Sequence, residues 1–147
     1  MIEEALERFE RGDYAGAFDL YQKMLNEEPE NHEVLFMMSL CRQRQQNLPQ
    51  AAELLDQALL YYPTQALYHY TLGSVRLRQG MLAPATDAFQ KASQLNPNYA
   101  DAHVALGYVH LIQQQYEPAE SALRAALRAN PRVPAAQAHL GAVSYTH

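Results

Sequence analysis

Residues 63–97 read PTQALYHYTLGSVRLRQGMLAPATDAFQKASQLNP, a stretch that opens and closes on prolines 34 positions apart. The same step leads outward to Pro29 on one side and Pro131 on the other. A fixed period of this size marks a chain assembled from copies of one supersecondary unit, stacked side by side. Other columns keep the register. One holds only small residues, Ala5, Ser39, Gly73, Gly107 and Gly141. Another is pure alanine at Ala17, Ala51, Ala85 and Ala119, and a third reads Met24, Ala58, Ala92 and Ala126. Bulk recurs at Met38, Leu72, Leu106 and Leu140, and again at Tyr21, Leu55, Phe89 and Leu123. Small residues let helix axes approach closely, and large ones fill the gaps between them.

These residues resemble the tetratricopeptide repeat family, whose 34-residue unit is a helix–turn–helix ending in proline. The resemblance is carried by Leu72-Gly73, Ala85-x3-Phe89-x2-Ala92 and Asn96-Pro97, and by Leu106-Gly107, Ala119-x3-Leu123-x2-Ala126 and Asn130-Pro131. Gly12-Asp13-Tyr14 looks like the turn between paired helices. The resemblance implies an all-α fold, a right-handed superhelical solenoid of stacked helix–turn–helix repeats forming a single domain over 1–147. Repeats are expected at about 1–31, 32–65, 66–99 and 100–133, with a partial fifth at 134–147. The chain departs from the family where a large aromatic is common early in each first helix. That column reads Leu35, His69, His103 and Gln137, so looser packing is expected there.

Punctuation places the helices at roughly 2–12, 14–27, 32–46, 49–61, 65–79, 83–95, 99–114, 117–129 and 134–145. Asn31, Thr64 and Asn98 are candidate N-caps. Pro49, Pro84 and Pro118 sit near helix starts, where the missing N–H costs little. No strand pattern or dividing linker is found. Each helix pair cannot bury its apolar face alone, so stability is expected from neighbours. The segment Ala135–Val143 is as apolar as an internal unit. A terminal repeat normally carries a polar outer face, so the chain is expected to be a piece of a longer protein with non-native final residues.

The 147 residues suit one domain with a continuous core. No run approaches the roughly 18 apolar residues of a membrane helix, and the acidic, amphipathic start does not read as a secretory signal. One cysteine, Cys41, excludes an internal disulfide framework and points to a reducing, cytoplasmic compartment. The sequence holds no Gly-rich phosphate loop, His-Glu-x-x-His helix, Cys-x-x-Cys pair or Gly-x-Ser-x-Gly elbow. Cys41 lies on an apolar helical stripe, the ordinary place of a packed thiol rather than a nucleophile. His69 and His103 are equivalent in adjacent repeats, and His103 and His110 are seven apart. No carboxylate or cysteine joins them at ligand spacing, so the expectation is no catalytic residue, no metal site and no cofactor.

Charge is uneven. Met1 to Val34 carries ten acids against three bases, a net −7, which leaves the remainder at +2 within the total of −5. That balance disfavours nucleic acid, which needs a basic stripe. The resemblance implies that each first helix lines a concave groove holding a peptide or helix of a partner. By helical phase the inner positions are Phe36, Met37, Leu40 and Arg44, then Tyr70, Ser74 and Arg78, then Val104, Tyr108 and Ile112. Family members that clamp acidic C-terminal tails place Lys, Asn and Arg on these turns. Phe36, Leu40, Tyr70, Val104 and Tyr108 do not match that pattern. What remains is an aromatic and aliphatic track flanked by two arginines one repeat apart, suited to a protein segment with apolar anchors and an acidic group. Self-association through the open C-terminal repeat is a further expectation. The reading is a non-enzymatic protein–protein interaction scaffold. The alternative is the accessory repeat region of a larger enzyme, as precedes glycosyltransferase- or sulfotransferase-like domains in similar arrays.

Overall fold

The computed structural model describes residues 1–146, and His147 lies outside the described residues. Among them are nine helices and no strand: α1 (Ile2–Glu10), α2 (Tyr14–Glu27), α3 (His32–Arg44), α4 (Leu48–Tyr61), α5 (Ala66–Arg78), α6 (Leu82–Leu95), α7 (Ala100–Ile112), α8 (Tyr116–Ala129) and α9 (Pro134–Thr146). From α4 to α9 each helix begins 34 residues after the equivalent one before it, so the period read in side chains is also the period of the backbone. Each helix packs against the next along the chain, and α7 also reaches α9. The result is an all-α solenoid.

Two kinds of stop set the helix lengths. The residue before each periodic proline has left the helical conformation: φ is −129° at Glu28, −139° at Tyr62, −135° at Asn96 and −149° at Asn130. Steric conflict with the proline ring pushes that residue out of the helical region. The first helices end differently. Gly12, Gln46, Gly80 and Gln114, again 34 apart, have φ of 86°, 60°, 77° and 60°. The next amide then bonds back five residues, as Asn47 N–H does to Arg42 O at 2.8 Å and Gln115 N–H to His110 O at 2.8 Å. This is the Schellman closure. It ends α3, α5 and α7 one or two residues earlier than the side-chain pattern alone indicates.

Asn31 caps α3, its Oδ1 accepting from Val34 N–H at 3.2 Å, and Asp13 and Asn47 do the same for α2 and α4. Thr64 and Asn98 are not caps: the N-cap residues are Gln65 and Tyr99, neither with a side-chain cap bond. The Asn98 backbone N–H instead donates to Asn96 Oδ1 at 3.2 Å, so it is the Asn96 side chain that works within the proline turn. Pro49, Pro84 and Pro118 lie in the first turns of α4, α6 and α8, where an N–H has no helical partner to lose.

The columns become the core. Ala17, Ala51, Ala85 and Ala119 are fully buried, as are Leu55, Phe89 and Leu123 beside them. Burying each of those large side chains is worth about 1.5–3 kcal/mol. The core is a series of clusters along the stack rather than one centre, running from Ala5, Tyr21 and Cys41 to Ala119, Leu123 and Val143. In the Leu35, His69, His103 and Gln137 column, Leu35 is buried in the core and the other three make polar links. His69 Nε2 meets Pro63 O at 2.8 Å, His103 Nε2 meets Pro97 O at 2.8 Å, and Gln137 Nε2 donates to Pro131 O at 3.2 Å. A carbonyl only accepts, so each imidazole carries its proton on Nε2 for this bond.

Candidate functional site

Of the ten residues that helical phase assigns to a groove, nine divide into three rows, one per turn of the first helices. In the row Phe36, Tyr70 and Val104 the side chains are half-buried in contacts between helices. Phe36 stacks on Tyr68 of α5, with centroids 4.9 Å apart. Tyr70 lies between Phe89 at 5.7 Å and Tyr99 at 5.2 Å. Val104 packs on the Ala119–Leu123 cluster. Phase gave the direction of these side chains but not the neighbours that cover them.

The row Leu40, Ser74 and Tyr108 grows more open along the chain. Leu40 and Ser74 are half-buried, and Ser74 Oγ donates to Tyr70 O at 3.2 Å. Tyr108 is 43% exposed, its ring 5.4 Å from that of His139 on α9. Arg44, Arg78 and Ile112 form the outermost row, and all three are exposed. The Arg44 guanidinium lies 5.6 Å from the Phe9 ring centroid. Arg78 Nη2 donates to Gln46 Oε1 of the preceding repeat at 3.0 Å. Among the described residues neither arginine is in an ion pair. Met37 stands apart from the rows, packed on the first core cluster beside Ile2 and Leu6.

Two residues of this surface escaped the sequence reading. Tyr99 precedes α7 and covers the Tyr70 ring, and Asp101 follows it. Burial pushes the Tyr99 hydroxyl up to about 12, with further contributions from Tyr70 and the Asp101 charge. Tyr70 is raised first by burial and then by Asp101, against a lowering bond with Ser74. Three residues before Val104, Asp101 shares its column with Glu33 and Leu67, a comparison at 34-residue spacing that would have shown it.

The candidates for chemistry take up structural posts. Cys41 is fully buried, and burial pushes its thiol up to about 11, the reverse of what a nucleophile needs. His69 and His103 each hold a proline carbonyl, while His110 Nδ1 meets Gln115 Oε1 at 2.7 Å. Among the described residues no group of three or more His, Cys, Asp or Glu side chains is placed to hold a metal ion. No helix among them is long and apolar enough to cross a membrane.

Comparison with known proteins bears on the fold. A family model described as Tetratricopeptide repeat matches residues 8–74, and one described as Cilia and flagella-associated protein 70 middle TPR-like domain matches residues 44–146. No curated protein sequence matches the chain. Among solved structures, a crystal structure of MamA superposes with a TM-score of 0.90 at 27% identity, covering 97% of this chain and 83% of that one. PilF of Pseudomonas aeruginosa gives 0.88 at 22% identity, covering 99% and 66%. The first TPR of Spaghetti (RPAP3), solved with the HSP90 peptide SRMEEVD, gives 0.75 at 20% identity, covering 78% and 91%.

Proposed function

Since the chain belongs to the tetratricopeptide repeat family, we propose that it is a non-enzymatic scaffold holding a peptide or helix of a partner protein on the face formed by α3, α5 and α7. The observation that carries this reading is the exposed pair Arg44 and Arg78, one repeat apart and free of ion pairs among the described residues, beside exposed Tyr108 and Ile112. Unpaired guanidiniums next to apolar and aromatic surface favour a segment with apolar anchors and an acidic group. The RPAP3 domain, which shares the fold, was solved with an acid-rich peptide. In the present chain the inner turns carry Phe36, Leu40, Tyr70, Val104 and Tyr108 instead of a lysine and asparagine clamp. Apolar contact is therefore the larger part of the proposed recognition.

The same reading places the protein in the cytoplasm, on the strength of its lone reduced cysteine. It also assigns self-association to the uncovered side of α9, where a Cβ on Gly141 would meet no heavy atom within 4 Å.

A short amphipathic peptide of leucine and glutamate tests the groove by fluorescence anisotropy. Arg44→Ala with Arg78→Ala is expected to weaken binding by about tenfold, and Tyr108→Ala by several-fold, with helicity unchanged. Equal affinity for wild type and both variants removes the groove from consideration. Tyr70→Ala is a poorer probe, because its ring also supports Phe89 and Tyr99.

A further inference from the structure

The N-terminal end of the stack carries a surface of a different character. α1 turns Ile2 and Leu6, 62% and 42% exposed, toward a cleft of about 430 Å³ that Met24 and Met37 also line. The polar part of its wall is Glu28, Asn31 and Glu33. Asn31 is engaged as the cap of α3, with its Nδ2 also donating to Glu28 Oε2 at 3.4 Å. On the other side of the same turn lies a second cleft of about 500 Å³, lined by Glu28, Pro29, Glu30, Asn31 and the exposed ring of Tyr61. No lysine or arginine lines either cleft. Among the described residues, Glu28, Glu30 and Glu33 are in no ion pair. They belong to the segment that carries a net −7.

Each property selects the occupant. A cleft of this volume, lined by flexible methionines and exposed aliphatics, suits an aliphatic anchor, since methionine adapts its shape to what it covers. Three carboxylates outside any ion pair among the described residues, Glu28 and Glu30 on the intervening turn and Glu33 at the start of α3, repel an acidic segment and attract a basic one. The Tyr61 face offers a further place for a cation, which aromatic rings hold through their quadrupole. We propose that the clefts flanking the Glu28–Asn31 turn form a docking site for a basic amphipathic segment of a partner protein, an aliphatic side chain entering the Ile2–Leu6–Met37 cleft with Lys or Arg on the glutamates. This site is opposite in charge preference to the Arg44–Arg78 surface and rests on separate residues. A partner engaging both surfaces would have to carry its basic part toward α1 and its acidic part toward the arginines.

The test uses the whole chain and a short amphipathic peptide of leucine and lysine. Binding is followed by anisotropy at low and at physiological salt. The peptide is expected to bind. Replacing Glu28, Glu30 and Glu33 together by Gln should weaken it about tenfold and flatten its salt dependence. Leu6→Ser should weaken it by a similar factor with unchanged helicity, and Arg44→Ala with Arg78→Ala should leave it unchanged. Absence of binding overturns the proposal. So does binding indifferent to Leu6→Ser, because the acids alone would then be responsible. Sedimentation of the free protein covers the remaining occupant: self-association abolished by Leu6→Ser would assign the cleft to a second copy and overturn the partner. The leucine–glutamate peptide reports on the arginine surface alone, so either reading fails without the other.

Discussion

The ring of Phe89 fills the space that a methyl group on Gly73 would need, since a Cβ built there lies 2.6 Å from both Cδ1 and Cε1. Leu123 stands in the same relation to Gly107, with its Cδ2 and Cγ at 2.5 Å. These pairs join the first and second helix of a repeat by removing a side chain from one and supplying bulk from the other. Ala5 with Tyr21 and Ser39 with Leu55 occupy the same two columns. The first member stays small throughout while the second varies between aromatic and leucine, so bulk is supplied from one side only.

Gly73→Ala is accordingly expected to destabilise the fold by about 1–3 kcal/mol, the usual cost of forcing a methyl into a filled core. That exceeds the gain of about 1 kcal/mol that alanine brings over glycine inside a helix. Phe89 is fully buried, so its ring has nowhere to retreat. Gly141→Ala provides the contrast, because its Cβ meets nothing within 4 Å and only the helix propensity remains. Urea unfolding should show a lower midpoint for the first variant and an equal or higher one for the second. Matching shifts would dismiss the close-approach argument.

The backbone at Gln46 and Gln114 carries a cost that the sequence hides. Both have φ of 60°, where Gly12 and Gly80 stand in the equivalent turns. A side chain in the left-handed region costs roughly 1 kcal/mol relative to glycine. Gln114→Gly is therefore expected to stabilise the protein by about 0.5–1 kcal/mol, in spite of the greater entropy that glycine gives the unfolded chain. Gln46→Gly should gain less, because it also removes the bond from Arg78. Denaturant titration of the two variants separates these terms.

The fold was legible because close packing of identical units leaves its mark as size at fixed spacing, and a period of alanine and proline columns survives drift at other positions. Elements whose chemistry is conformational left no such mark. Glutamine alternates with glycine at the left-handed turn, so Gln46 and Gln114 looked like ordinary helical residues and the first helices were read too long. The candidate groove was partly legible for the same reason. Arg44 and Arg78 follow directly from phase, whereas the cover on Phe36 and Tyr70 comes from aromatic rings elsewhere in the chain and that on Val104 from the Ala119–Leu123 cluster. The acidic turn from Glu28 to Asn31 was visible as charge, but the clefts on either side of it exist only once α1, α3 and α4 are assembled.

Histidine and glutamine make the same link in the column that ties the last three proline turns to the next helix. His69 and His103 use Nε2 on Pro63 O and Pro97 O, and Gln137 uses its amide on Pro131 O. Substituting His69→Gln is expected to leave stability within about 0.5 kcal/mol. His69→Ala should lose about 1 kcal/mol, the net worth of one hydrogen bond. Equal losses in thermal unfolding would mean that the ring's packing, and not its N–H, is what matters there.

Alkaline pH should loosen the stack in a defined window. Burial raises the Cys41 thiol from 9.0 to about 11 and the Tyr68 hydroxyl from 10.0 to about 12, the latter with help from the Glu33 charge. Tyr99 reaches about 12, and Tyr21 and Tyr70 move the same way, each chiefly through burial. Below the unfolded values both states are protonated at these groups, and the stability is fully present. Above about pH 9 the unfolded chain releases protons that the folded chain still holds, so each step upward favours unfolding until the folded groups ionise near 11 to 12. For Cys41 alone the loss is on the order of 2–3 kcal/mol. Urea midpoints should therefore be level in this respect up to about pH 9 and fall steadily beyond it. Cys41→Ala should flatten the early part of that fall and leave the later, tyrosine part in place. A wild-type midpoint that stays constant to pH 11 would show that these groups are open to water in the folded protein.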